Sequence, residues 1–81
     1  MKIYDFNGRK NLCGKRVKEA RTRLGLTQEN LAAKLQLEGI ILERDSVSRI
    51  ELGTRFVADF ELAVLCRVLG VTPAYFLGLE S

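Results

Sequence analysis

The chain has 81 residues, 47% of them hydrophobic, which is enough for one small domain with a modest core. It contains no histidine, no run near the roughly 20 apolar residues that cross a bilayer, and no signal-like apolar run in residues 1–10. Membrane spans and histidine chemistry are therefore not expected, the cytoplasm is the expected compartment, and the net charge is a modest +3.

The charge is unevenly placed. Residues 1–24 carry eight Lys or Arg against Asp5 and Glu19, a balance of +6, and the remainder carries five against eight, a balance of −3. A basic first quarter suits a polyanion such as the DNA backbone, although the same cluster also reads as a solvated helix face. Residues 1–10 are read as a basic N-terminal arm and 11–81 as one folded domain. Cys13 and Cys66 are far apart and lack a CxxC or histidine partner, so they read as reduced core thiols. No metal or cofactor is expected, and without a cysteine dyad or paired carboxylates in an evident pocket the chain does not read as an enzyme.

The apolar residues follow the helical period, and the chain resolves into five short helices, an all-α bundle. The first is capped by Asn11, carries Cys13, Val17, Ala20 and Leu24 on one face, and is closed by Gly25. Thr27 caps the second, whose Leu31, Ala32 and Leu35 form the buried stripe and which ends near Gln36. Residues 37–43 form a connecting loop. A third helix covers Arg44 to Leu52, with Val47 and Ile50 inward, Gly53 as its stop, and either Glu43 or Asp45 as its cap. The fourth runs from Asp59 to Leu69 and is apolar almost all round, with Phe60, Leu62, Leu65, Cys66 and Leu69 assigned to the core. Thr72 and Pro73 open a fifth, Ala74 to Leu77, which Gly78 ends.

The segment Gly25-Leu26-Thr27-Gln28-Glu29-Asn30-Leu31-Ala32-Ala33-Lys34-Leu35, followed twelve residues later by Val47-Ser48-Arg49-Ile50-Glu51-Leu52-Gly53, resembles the Cro and phage-repressor helix-turn-helix family, also called XRE or lambda-repressor-like. The likeness covers about Asn11 to Leu79. It implies that the third helix enters the major groove, which is about 12 Å wide, while the second crosses the DNA backbone.

The wheel of the third helix agrees with this. With Val47 and Ile50 facing the core, it turns Asp45, Ser48, Arg49 and Leu52 outward and leaves Arg44 and Ser46 at the open first turn. Arg49 can donate two hydrogen bonds to guanine, the serines can bond base edges or phosphates, and Asp45 can accept from cytosine. The resemblance implies base reading by Arg44, Asp45 and Arg49, with Ser46 and Ser48 beside them. Asp45 serves equally as a cap, and Arg44 equally as a phosphate contact. Thr27 and Gln28 match family positions that reach phosphate oxygens, where a helix N-terminus favours an anion. Arg55 is a second phosphate candidate, and Arg9, Lys10, Lys15 and Arg16 are able to follow the backbone. Arg21 and Glu51 lie near the core side of their wheels, and the resemblance implies an ion pair between them.

Two departures from the family stand out. About five residues, Glu38 to Leu42, are added between the second and third helices, and Ile40, Ile41 and Leu42 are expected to fold back on the core. Ala58 replaces the usual Ser or Thr cap, which leaves Asp59 to cap the fourth helix. Surplus apolar residues on the C-terminal helices suggest a homodimer with two recognition helices about 34 Å apart, a spacing that suits a palindromic double-stranded operator. The expected function is therefore a sequence-specific transcriptional regulator, a repressor by resemblance. The alternative is a protein-interaction module on the same fold.

Overall fold

Helix ends leave backbone donors and acceptors without partners, and in this chain side chains and left-handed residues supply them. The computed structural model describes residues 6–80, so Lys2 and the rest of residues 1–5 in the basic arm lie outside the described residues. Five helices follow in order: α1 (Gly14–Arg23), α2 (Gln28–Leu37), α3 (Arg44–Leu52), α4 (Asp59–Leu69) and α5 (Pro73–Phe76). Among the described residues the only β pairing is an isolated bridge between Phe6 and Arg9.

Asn11 lies three residues ahead of α1, yet its Oδ1 accepts the Gly14 N–H at 2.8 Å and so performs the expected capping from a distance. Thr27 caps α2: its hydroxyl accepts from Asn30 N–H at 3.0 Å, and the Asn30 side chain accepts from Thr27 N–H at 3.2 Å. This reciprocal arrangement holds both residues at the start of the helix. At the other end of α2, Gly39 has φ +89, and Ile40 N–H bonds back to Leu35 O at 2.9 Å, which carries the helix to Leu37.

Three local expectations need correction. Glu43 is the residue before α3, but neither it nor Asp45 makes a side-chain capping bond there. Ala58 precedes α4 and Asp59 does not cap it; Glu61 reaches back to accept the Ala58 N–H at 3.0 Å. Ile41 does not fold onto the core. The connection runs extended into α3, successive side chains alternate sides, and so Leu42 is buried, Ile40 partly buried and Ile41 72% exposed.

α3 packs against both α1 and α2, α4 meets those same two helices, and α5 packs on α1 and α4. Leu31 and Leu35 of α2, Val17 of α1, Val47 and Ile50 of α3, Leu65 of α4 and Phe76 of α5 are the largest fully buried side chains. Phe76 anchors a helix too short to be stable by itself. Phe60 leaves the core set assigned from sequence, being 62% exposed, and Val64 is buried instead, on the face of α4 that meets the other helices. Cys13 and Cys66 are both free and buried, as expected.

α1 and α3 come unusually close. A Cβ placed on Gly14 would run into the Ile50 carbonyl oxygen, so only glycine permits this crossing. The backbone of α3 is thereby held directly against the start of α1.

Candidate nucleic-acid interface

The outer side of α3 is open to solvent. Arg44, Asp45 and Arg49 are exposed, Ser46 and Ser48 are half-buried, and Leu52 is exposed at the far end. All five residues assigned to base reading therefore lie on one nine-residue helix, with Val47, Ile50 and Glu51 buried beneath them. Arg49 Nε sits 3.5 Å from Asp45 Oδ2, one turn away. Both groups are exposed, so the pair contributes little to stability, but it inclines the guanidinium along the helix axis.

Beneath this face is a buried polar brace. Glu51 accepts from Arg21 Nε at 2.7 Å, from Arg21 Nη2 at 3.0 Å and from Gln28 Nε2 at 3.0 Å. The third arm of Arg21 donates to the Leu26 carbonyl at 2.8 Å, ahead of α2. The Glu51 hydrogen bond pushes the Arg21 pKa still higher than the usual guanidinium value, so the cation is fixed. One ion pair thus joins α1, the start of α2 and α3, and it sets the distance between the two elements of the candidate interface.

The phosphate set drawn from the sequence divides. Thr27 and Gln28 stand together at the start of α2, although the Gln28 amide is already bonded to Glu51, a link that sequence reasoning missed. Arg55 is engaged elsewhere: Nη1 and Nη2 grip the two Glu61 oxygens at 3.0 and 3.3 Å, and Nη1 also donates to Phe56 O at 2.8 Å. Its charge is neutralised within the fold, and it holds the start of α4. Arg16 lies on the α5 side of α1, with its guanidinium 5.6 Å from the Tyr75 ring centroid, apart from Thr27 and Gln28. Arg23 approaches the same ring at 5.9 Å, and the Tyr75 hydroxyl donates to Glu19 at 2.7 Å.

Sequence reasoning also missed the use made of Arg9 and Asn11, whose side chains reach the C-terminal end of α3. The signal was present in Asn7-Gly8, a dipeptide that favours a tight turn of two left-handed residues.

A short helix carrying arginines and hydroxyls outward, held at a fixed crossing to the capped start of the helix before it, defines a helix-turn-helix unit. The helix-turn-helix domain family matches residues 13–75, and the chain belongs to it. No curated protein matches the chain. Among solved structures it is similar to the P22 c2 repressor protein, crystallised in complex with synthetic operator 9T. The TM-score is 0.72 and the identity 22%, over 85% of this chain and 97% of that one. The likeness shows that the chain shares the fold of that repressor protein, built here from five helices among the described residues.

Proposed function

We propose that this protein is a sequence-specific double-stranded DNA-binding regulator of transcription, a repressor, and not an enzyme. The observation that carries the reading is the outer face of α3. Arg44, Asp45 and Arg49 stand exposed there and Ser46 and Ser48 half-exposed, on the side of the helix away from the buried Val47 and Ile50. In this reading α3 enters the major groove, Arg49 forks onto a guanine, and Arg44, Asp45, Ser46 and Ser48 contact neighbouring base edges. Thr27 and Gln28 fix the register against phosphate, where the dipole of α2 favours an anion. The P22 c2 repressor, solved on an operator, supports the choice of partner.

The regulator acts as a homodimer through its C-terminal helices, on a palindromic operator. The support is the apolar surface left at that end, where Phe60, Leu77 and Leu79 remain exposed. Selection of bound sequences from random duplex DNA tests the reading. The intact protein should enrich one motif with two-fold symmetry, and Arg49→Ala should lose the preference at one position of each half. Recovery of unenriched DNA by the intact protein would reject sequence-specific binding.

A further inference from the structure

The last turn of α3 is closed by a separate piece of chain. Arg9 Nη1 donates to Leu52 O and Nη2 to Glu51 O, each at 3.3 Å. Asn11 Nδ2 donates to Ile50 O at 3.0 Å, and Lys10 N–H donates to Gly53 O at 2.8 Å. Four consecutive carbonyls at the end of the helix are thus satisfied from residues 9–11. A guanidinium at this point also complements the negative end of the helix dipole.

This piece is preshaped. Asn7 at φ 53 and Gly8 at φ 80 are the two left-handed residues of a tight turn, closed by Phe6 N–H to Arg9 O at 2.7 Å and Arg9 N–H to Phe6 O at 3.0 Å. The Arg9 guanidinium lies over Gly53, at φ +83, in space that any Cβ would fill. Asn11 is tied on its other side as well: it accepts from Gly14 N–H, and Nδ2 also donates to Arg55 O at 2.8 Å. It therefore joins the start of α1, the end of α3 and the segment leading to α4. The opposite end of α3 has no side-chain cap and enters from the long connection, so the fixed end is the C-terminal one.

Base contacts are geometrically demanding, and a misplacement of about 1 Å is enough to weaken them. We propose that the Phe6–Asn11 turn sets the angle of α3 in the DNA groove, with Arg9 and Asn11 as positioning residues that govern base discrimination without touching a base. This rests on the reading of α3 as the base-reading helix.

The test uses the full chain and its Arg9→Ala and Arg9→Lys variants, with two measurements. Without DNA, amide exchange in Arg9→Ala is expected to quicken about tenfold at Ile50 to Thr54 while Leu31 and Leu35 keep their rates. On DNA, the ratio of affinity for the selected duplex over a scrambled one should fall about tenfold in Arg9→Ala. Arg9→Lys, which keeps the charge but not the two-pronged donor, should lose most of that ratio while holding its grip on the scrambled duplex. Unchanged exchange at Ile50 to Thr54, or exchange that quickens equally in every helix, overturns the proposal. So does a loss in Arg9→Ala that is equal on both duplexes and absent in Arg9→Lys, since charge alone would then explain it. If the unaltered protein discriminates between the duplexes and Arg9→Ala does so equally well, this proposal fails alone; if the unaltered protein does not discriminate, the reading of α3 fails and takes this proposal with it.

Discussion

Both carboxylate oxygens of Glu51 accept from Arg21, at 2.7 Å from Nε and 3.0 Å from Nη2. Each residue is more than nine-tenths buried, so neither charge has water to fall back on. Glu51→Ala leaves the guanidinium without its counter-ion and is expected to cost about 3–5 kcal/mol, read as a fall in urea midpoint or melting temperature. Gln28→Ala removes only one of three donors to the same carboxylate and should cost about 1 kcal/mol. A Glu51→Ala protein that melts like the unaltered one would show that the brace contributes nothing.

The contact between α1 and α3 at Gly14 is a sharper steric test. A methyl group there meets the backbone oxygen of Ile50, and backbone cannot swing aside as a side-chain tip can. Gly14→Ala should cost about 1–3 kcal/mol and displace α3 from α1. Gly25→Ala is the natural comparison, because Gly25 sits at φ +72 and a methyl group added there meets nothing within 4 Å, so only the backbone conformation is penalised. That variant should lose about 1 kcal/mol and leave DNA binding intact. Equal binding by both variants would argue against a fixed α1–α3 crossing.

Helix order, the Thr27 cap and the full extent of α3 were legible in the sequence, because apolar spacing and the glycines at 25, 53 and 70 report local conformation directly. Arg21 and Glu51 were legible as a pair since both fell near the inner side of their wheels. The Glu61 partner of Arg55 and the Tyr75 ring beside Arg16 were not, because an arginine's type says nothing about which carboxylate or ring it will find after folding. Ile41 misled for a related reason: three adjacent apolar residues in an extended segment cannot all face one side. The Arg9 and Asn11 contacts span more than 35 positions, and only the Asn7-Gly8 turn hinted at them.

Both thiols should be inert in the folded protein. Burial drives Cys13 up from 9.0 to about 11, and burial raises Cys66 as well, so little nucleophilic thiolate exists at neutral pH. A thiol-reactive disulfide reagent should label neither residue until denaturant is added. Because the folded Cys13 pKa is raised, its contribution to stability is complete below about 9 and is lost as pH rises toward 11. Rapid labelling of the native protein at pH 7 would contradict the buried placement.

Acid should loosen the start of α4. Burial by itself would raise the Glu61 carboxyl, but the Arg55 hydrogen bond, the Ala58 N–H and the Arg55 charge together hold it below its ordinary 4.5. With a depressed folded pKa, the stabilisation is present above 4.5 and disappears as pH falls through the lower folded value. Glu61→Gln should therefore flatten the acid limb of the stability profile. An unchanged acid limb in that variant would assign the acid sensitivity to other carboxylates.

The central claim is that the exposed face of α3 reads base pairs, and its most direct test is a pair of binding isotherms, one on the selected duplex and one on a duplex changed at a single guanine. Both should be recorded for the unaltered protein and for Arg49→Ala across a range of salt. The unaltered protein should prefer the selected duplex by about 1–3 kcal/mol and lose affinity steeply as salt rises, whereas Arg49→Ala should bind both duplexes alike. If Arg49→Ala keeps the full preference at every guanine so tested, Arg49 is not a reader and the proposed orientation of α3 in the groove is wrong.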